Sequence, residues 1–338
     1  MVYAEGPHVK NILIRLAKRI VAGIVMVLVV ASFTFFLVRM MPGNPVSAKY
    51  NELIMRGMTP VQAMDAVRVM YGFIPHQPLW QQYLHYIGQI LHLNLGRSIS
   101  YEGVPVLHII LNAAPWTIIL VTTGLIASFI VGVLAGVIAA VKRSSPVGSA
   151  ITLSGSIMHG IPQFVMGLFL AYVFTTIWAL LPFGAPYNAA LTPGFNGPFI
   201  MSLIRHAILP VATYALSSYG GWLLTMKSSV ISVLGDDFIL ASEVRGIKAS
   251  TRLRYIAHNA ILPLFTIFAL SIGFMFGGSL FIEDIFDYPG LGNLLLHAID
   301  SRDYPLMSGA FLLITVAVIV ANIVADFLYS VVDPRIRR

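Results

Sequence analysis

The sequence contains no cysteine, and only 10% of its 338 residues are charged. Soluble globular domains carry about 25% charged residues, so this composition excludes an ordinary soluble domain. The absence of cysteine excludes disulfides, thiolate metal sites and a cysteine nucleophile. Hydrophobic residues make up 57% of the chain, and the mean hydropathy is +0.83. Together these values indicate an integral membrane protein.

Motifs for energy conversion and catalysis are also missing. The chain has no GxxxxGK[ST] segment, with which a protein cradles the phosphates of ATP, and no GxSxG or HExxH segment. Its long apolar runs lack Asp, Glu, Lys and Arg at their centres, where proton- or sodium-driven carriers bury ion sites. We therefore predict a non-catalytic transporter subunit that binds no cofactor or metal. A self-contained secondary transporter or channel, and a membrane enzyme, are the alternatives from other classes.

Six apolar segments are long enough to span a membrane, for which about 20 residues are required. They lie at residues 20–38, 115–141, 151–180, 205–227, 254–283 and 303–326. The first is an uncharged run of 19 residues, longer than the 7–15-residue core of a signal peptide. We therefore interpret it as an uncleaved span. The predicted fold class is all-α, a polytopic membrane protein with six transmembrane helices.

Basic residues indicate the orientation of these spans, because Lys and Arg concentrate in cytoplasmic segments. The net charge of +7 at pH 7 has the same explanation, so we predict a lipid bilayer and not nucleic acid as the partner. With the N-terminus inside, 14 of the 21 basic residues are cytoplasmic: Lys10, Arg15, Lys18, Arg19, Lys142, Arg143, Lys227, Arg245, Lys248, Arg252, Arg254, Arg335, Arg337 and Arg338. Both termini are therefore predicted inside.

The long loop at residues 42–112 is predicted to be a helical module outside the membrane. Thr59 and Pro60 suit the cap and first position of a helix that runs to about Met70. A second helix is predicted to begin near Pro78. Apolar residues recur along it at helical spacing, and they are Trp80, Tyr83, Leu84, Ile87 and Leu91. This stripe either packs against the protein or the lipid headgroups, or forms a contact surface for a soluble partner.

A polar insert, DFILASEVRGIKASTRLRYIAHNAILP, follows the fourth predicted span at residues 237–263, and its last residues overlap the beginning of the fifth. Asp236 and Asp237 favour a helix N-terminus by capping and by their charge. Gly246 then permits a turn that other residues disfavour. One side of the short helix carries Phe238, Ala241, Val244 and Arg245.

Small residues and prolines within the spans are candidates for helix packing or for a solute path. Pro162 with Gln163, and Pro210, are predicted to kink the third and fourth spans, which frees backbone groups. Small residues allow helices to approach closely. The chain carries them at Gly132, Gly136, Gly273, Gly277 and Gly278. We select Pro162, Gln163, Gly277 and Gly278 as candidates for lining the path.

Motifs distributed along nearly the whole chain resemble those of the B-type permeases of dipeptide, oligopeptide and nickel ABC importers. After the first span, Arg39-Met40-Met41-Pro42-Gly43-Asn44-Pro45 is similar to the family's R-x-x-P-G-[DN]-P pattern. Further matches in family order are Tyr71-Gly72, Gln77–Trp80, Gln82-Tyr83, Asn94–Ser98, Glu283–Gly292, Arg302–Pro305 and Asp333–Arg337. The insert resembles the family's EAA loop, on which the ATPase subunit docks.

The resemblance implies a MetI-like ABC permease fold and a set of partners. It implies a second homologous permease, two ABC ATPase subunits that bind ATP and Mg, and an extracytoplasmic solute-binding protein. Peptides are the expected solute, and oligosaccharides or nickel chelates are the alternatives. It also implies a location in the cytoplasmic membrane of a prokaryote. The expected ATPase-coupling residues are Asp237, Phe238, Ala241, Ser242, Glu243, Arg245 and Gly246.

The predicted organisation has four parts. An N-terminal segment with the first span covers 1–41, the outer module covers 42–112, and the five-helix core covers 113–332, with a coupling loop at 232–259. A cytoplasmic tail follows at 333–338. The loop departs from the family's A-[RK]-A-[KR]-G pattern, because this chain has Ala241-Ser242-Glu243-Val244-Arg245-Gly246. An altered charge pattern at the ATPase contact is therefore expected.

Overall fold

The computed structural model of the protein describes residues 7–40, 45–71, 78–265, 267–268, 271 and 279–332. Within these ranges the chain is almost entirely helical, and β pairing is confined to an isolated bridge between Arg97 and Pro105. The helices are α1 (Pro7–Met40), α2 (Pro45–Met55), α3 (Pro60–Tyr71), α4 (Leu79–Leu91), α5 (Val106–Val141), α6 (Pro146–Gly160), α7 (Gln163–Ala171), α8 (Gly197–Leu234), α9 (Asp237–Val244), α10 (Ala249–Ala260), α11 (Leu280–Ile285), α12 (Leu291–Asp300) and α13 (Tyr304–Val332). A π-helical segment, Tyr172–Ile177, continues α7. The predicted all-α class is confirmed.

Four of these helices are long and apolar enough to cross a membrane. They are α1 through Ala17–Leu37, α5, α8, and α13 through Tyr304–Ile323, and α6 with α7 passes the same test as a bent pair. α1, α5, α8 and α13 correspond to the first, second, fourth and sixth predicted spans. The bent pair corresponds to the third. The fifth predicted span, 254–283, falls partly on residues outside the described ranges. The protein is therefore a multi-pass membrane protein.

Two of the membrane helices begin earlier than charge patterning predicted. α5 begins at Val106 and α8 at Gly197, whereas the predicted spans begin at residues 115 and 205. At a rise of about 1.5 Å per residue, both helices exceed 50 Å, while the hydrocarbon core is about 30 Å thick. A charged side chain such as Arg205 therefore marks a membrane edge without ending the helix. The helix also continues through Pro210.

The third predicted span is broken at Pro162. α6 and α7 differ in direction by 101°, which is a larger change than the predicted kink. Ile161, which precedes the proline, is extended, with φ −81° and ψ 122°. This conformation is expected, because a proline ring disfavours the helical conformation of the residue before it and offers no amide hydrogen.

The chain divides into two compact units. The first unit comprises Met1–Pro115 and Gly290–Ile323, and the second comprises Trp116–Pro289 and Val324–Arg338. In the second unit, α8 packs against α6, α7, α10 and α11. Its apolar core includes Leu170, Met226, Val230 and Leu264.

Glycines bring the helices of the second unit into backbone contact. A Cβ atom added to Gly132 of α5 would lie 2.4 Å from the Cβ of Trp222. A Cβ on Gly220 of α8 would lie 2.2 Å from the carbonyl oxygen of Gly155 in α6. Real Cβ atoms do not approach other heavy atoms this closely, so these positions exclude a larger side chain. The structure therefore supports helix packing as the role of Gly132.

Two predicted helices of the outer loop are present in the first unit as α3 and α4. Thr59 and Gln62 form a reciprocal cap at the start of α3. The Thr59 amide donates to Gln62 Oε1 over 3.0 Å, and the Gln62 amide donates to Thr59 Oγ1 over 3.4 Å. α4 packs on α1, where the ring centroids of Tyr83 and Phe35 lie 5.3 Å apart. Of the predicted apolar stripe, Trp80, Leu84 and Leu91 are exposed.

A buried carboxylate joins two sequence motifs in the first unit that are about 200 residues apart. Asp303 accepts hydrogen bonds from the Ser98 hydroxyl, from the Ile99 amide at 2.8 Å and from the Ser100 amide at 2.9 Å. Its other oxygen accepts from the Leu306 amide at 3.2 Å and so caps α13. The motifs Asn94–Ser98 and Arg302–Pro305, which carry the family resemblance, thus meet in space.

Candidate coupling site

The short helix α9 begins at Asp237, as the sequence predicts. Asp236 precedes it in an extended conformation, but its side chain makes no capping hydrogen bond. The predicted capping by Asp236 is therefore wrong. The two carboxylates near the helix N-terminus still stabilise it through the helix dipole.

One face of α9 packs onto the second unit. Ile239 is 5% exposed and belongs to the core that includes Val230 of α8 and Ile256 of α10. Ser242 is 6% exposed, and its hydroxyl donates to the Ile239 carbonyl over 2.7 Å. Ser242, predicted among the coupling residues, therefore faces the protein interior and cannot contact a partner without a rearrangement.

The opposite face of α9 is exposed and largely apolar. We call it the coupling surface, and its members are Phe238, Leu240, Ala241, Val244 and Arg245. Val244 is 82% exposed. Contiguous exposed apolar side chains on a polar insert mark a contact surface for another protein. The sequence did not lead us to select Leu240. The signal for it is an apolar residue beside Ala241 in a short polar insert.

Glu243 forms an ion pair with Arg252 of α10, with Oε1 and Nη1 3.1 Å apart. The Glu243 side chain is 61% exposed and that of Arg252 is 25% exposed. An ion pair this open to solvent stabilises a protein by about 1 kcal/mol or less. The glutamate that departs from the family pattern is thus paired within this chain, which reduces the charge it offers a partner.

Gly246 ends α9 in a left-handed conformation, with φ +69°. The Gly246 amide donates to the Glu243 carbonyl over 2.9 Å, and the Ile247 amide donates to the Ser242 carbonyl over 3.1 Å. This pair of hydrogen bonds is the Schellman arrangement, in which glycine is the favoured residue. An added Cβ would meet nothing within 4 Å. The glycine is therefore required for its backbone conformation and not for space within this chain.

The proposed path residues lie apart from α9 in the sequence. Pro162 is exposed, and the half-buried Gln163 is the first residue of α7, at the break described above. Gly277 and Gly278 lie outside the described residues.

The segment after the fifth predicted span contains a buried carboxylate and a buried phenol. Glu283 of α11 accepts a hydrogen bond from the Ser279 hydroxyl over 2.9 Å. Burial, and then the nearby negative charge of Glu283, raise the pKa of Tyr288 to about 12. Tyr288 therefore stays neutral at physiological pH.

Comparison with known proteins identifies one family model and several full-length relatives. Residues 132–338 match the model described as binding-protein-dependent transport system inner membrane component. The chain is 33% identical over 330 residues to the dipeptide transport system permease protein DppB of Escherichia coli, covering 90% of this chain and 93% of that protein. It is 30% identical over 320 residues to the oligopeptide transport system permease protein AppB of Bacillus subtilis, covering 94% and 98%. It is also 31% identical over 324 residues to the di/tripeptide transport system permease protein DppB of Pseudomonas aeruginosa, covering 91% and 94%.

Proposed function

Because the chain belongs to the family of binding-protein-dependent transport system inner membrane components, we propose that it is the permease subunit of a peptide ABC importer. It carries di- or oligopeptides across the cytoplasmic membrane, and separate subunits hydrolyse ATP. The observation that carries this proposal is the match over nine-tenths of the chain to permeases named for peptides. These names favour peptides over the oligosaccharides and nickel chelates considered above.

The ATPase subunit binds the coupling surface of α9. Exposed apolar side chains there include Val244 and Leu240. Their surface is removed from water when the ATPase binds, which favours the contact. Ile239 anchors α9 in the same core as the end of α8. A displacement of α9 is therefore transmitted to a membrane helix through packed side chains.

Two further partners complete the importer. A second homologous permease pairs with this chain to enclose the solute path, and a binding protein outside the membrane delivers the peptide. The outer helices α2–α4 are on the predicted external side, where that protein docks. Neither partner requires chemistry from this chain, which supports a non-catalytic role.

Reconstitution of the complete importer in proteoliposomes tests the function. We expect uptake of radiolabelled dialanine or trialanine that requires both ATP and the binding protein. The purified permease alone should hydrolyse ATP only at background rate, because it has no phosphate loop. Uptake of maltotriose or a nickel chelate, with neither peptide transported, would contradict the peptide assignment. ATP hydrolysis above background by the purified permease alone would contradict its role as a subunit without ATPase activity.

The predicted orientation has its own test, which the absence of cysteine makes direct. Lys248→Cys should be inaccessible to an impermeant thiol reagent added outside intact cells, because residue 248 is predicted to be cytoplasmic. Gln81→Cys, in the outer helix α4, should be labelled under the same conditions and serves as the matched control. Labelling of position 248 alone from outside would show that the orientation is inverted.

A further inference from the structure

One face of α8 carries a series of small and polar residues through the membrane-spanning part of the helix. Tyr214, Ser218, Gly221 and Thr225 follow one another at intervals of four, three and four residues. This spacing places them on one side of a helix, over a length of about 16 Å. This length corresponds to about half the thickness of a hydrocarbon core, in which most side chains of a spanning helix are apolar.

This face borders a cavity within the second unit. The cavity has a volume of about 430 Å³, within the range of about 300–1,000 Å³ that is typical of pockets for small ligands. His159 of α6 lines it together with Tyr214, Ser218 and Thr225. Leu125, Gly221, Trp222, Leu224, Ile267 and Ser271 complete the lining.

The hydroxyls of Tyr214 and Ser218 at the cavity make no hydrogen bond among the described residues, whereas Thr225 donates to the Gly221 carbonyl and Ser271 to the Ile267 carbonyl, each over 2.8 Å. Tyr214 is only 8% exposed, yet its hydroxyl has no hydrogen-bond partner among the described residues. By contrast, Ser217, the neighbour of Ser218 that does not line the cavity, donates to the Thr213 carbonyl over 2.7 Å. Buried hydroxyls normally have partners. The Tyr214 hydroxyl is therefore available at the cavity for a hydrogen bond to a ligand.

The chemistry of the lining favours hydrogen bonds to the uncharged amide groups of a ligand. Among the described residues that line the cavity none is Asp, Glu, Lys or Arg, so these side chains offer a free carboxylate or ammonium group no opposite charge. Hydroxyls both donate and accept hydrogen bonds, and an imidazole does the same in its neutral form. A peptide main chain presents one donor and one acceptor for nearly every residue, whatever the side chain.

We propose that this cavity is a section of the solute path in which the Tyr214, Ser218 and His159 side chains hydrogen-bond to the main chain of a passing peptide. This inference rests on the proposed peptide transport and adds the surface that the peptide contacts. Recognition of the main chain alone allows peptides of different sequence to pass the same wall. The path then holds its solute weakly, because no charged group binds it.

Accessibility provides the first test, using single cysteines in the complete importer in proteoliposomes. We expect Ser218→Cys to react with a charged, membrane-impermeant methanethiosulfonate and the modified importer to lose dialanine uptake. Ser217→Cys is the matched control and should remain unmodified, because its position does not line the cavity. Reaction of Cys at 218 only with a lipid-soluble maleimide would show that the cavity is filled by lipid, and would overturn the proposal.

Transport kinetics provide the second test. Tyr214→Phe and Ser218→Ala each remove one hydrogen-bonding group, and we expect each to lower dialanine uptake about threefold or more. Basal ATP hydrolysis should stay unchanged, which separates a path defect from a folding or coupling defect. Ser217→Ala should transport normally. Wild-type uptake by both cavity variants would overturn the proposal.

The two tests also separate this inference from the proposed function. If the wild-type importer takes up no peptide but Cys at 218 reacts with the charged reagent, the peptide assignment fails. In that case the cavity belongs to a water-filled path for another solute. If peptides are taken up but Cys at 218 is unreactive, the proposed function stands and the inference fails.

Discussion

Ala241→Asp should reduce peptide uptake by the complete importer at least tenfold, while the permease still inserts into the membrane. Ala241 lies on the exposed coupling surface of α9, so the free chain tolerates a carboxylate there. Contact with an ATPase would remove water from that carboxylate, and a pair with Arg245, four residues later, would withdraw this basic side chain from the contact. Desolvating a charge costs several kcal/mol, and about 1.4 kcal/mol corresponds to a tenfold change in an equilibrium constant.

The measurements are uptake, co-purification of the ATPase and stimulated ATP hydrolysis, at equal permease expression. Ala249→Asp is the matched control, since Ala249 is an exposed alanine at the start of the neighbouring helix α10. An aspartate at a helix N-terminus is favourable, so this variant should transport normally. Full transport by Ala241→Asp would show that α9 is an ordinary cytoplasmic linker.

Gly246→Val probes the turn after α9 by a different physical route. Valine is strongly disfavoured at the left-handed φ of +69°. The substitution should therefore displace the end of α9 and lower uptake. An added side chain meets no atom of this chain, so Gly246→Asn, which tolerates the left-handed conformation, should retain more transport than valine. Equal loss in both variants would instead indicate a close approach of the ATPase to residue 246.

Asp303→Ala should produce the largest loss of stability among single substitutions in the first unit. The carboxylate satisfies the Ser98 hydroxyl, the Ile99 and Ser100 amides and the Leu306 amide. Alanine would leave buried donors without acceptors, at about 1–3 kcal/mol for each unsatisfied group. We therefore expect a loss of about 3–5 kcal/mol and a clearly lower Tm in detergent.

A nearby aspartate provides the control for this substitution. Asp300 is exposed at the end of α12, and Asp300→Ala should leave Tm nearly unchanged. Asp303→Asn retains one carbonyl acceptor and should fall between the wild type and Asp303→Ala. The same Tm for Asp300→Ala, Asp303→Asn and Asp303→Ala would show that the Asp303 carboxylate does not hold the loop at residues 98–100.

Local sequence signals predicted the helices well. Thr59, Pro60 and Pro78 determine where α3 and α4 begin. They act on the adjacent backbone and can be recognised without a structure. The beginning of α9 and the turn at Gly246 follow from local chemistry as well. Long uncharged runs predicted the membrane helices because the thickness of the bilayer fixes their minimum length.

Features that depend on tertiary contacts were not predictable. The sequence placed Ser242 in the coupling site, but burial of Ile239 rotates that hydroxyl towards the protein interior. The link between Asp303 and Ser98 joins residues separated by 205 positions, and no local pattern indicates it. The proline at 162 predicted a kink, but the size of the bend, 101°, does not follow from the local sequence.

The glycine contact between α6 and α8 also has a mechanical consequence. A Cβ added to Gly220 would lie 2.2 Å from the Gly155 carbonyl oxygen, so the two backbones are in direct contact there. Any side chain at position 220 would force the two backbones apart. We therefore expect the two helices to move together, with bending at Ile161 and Pro162, where regular helical hydrogen bonding is interrupted.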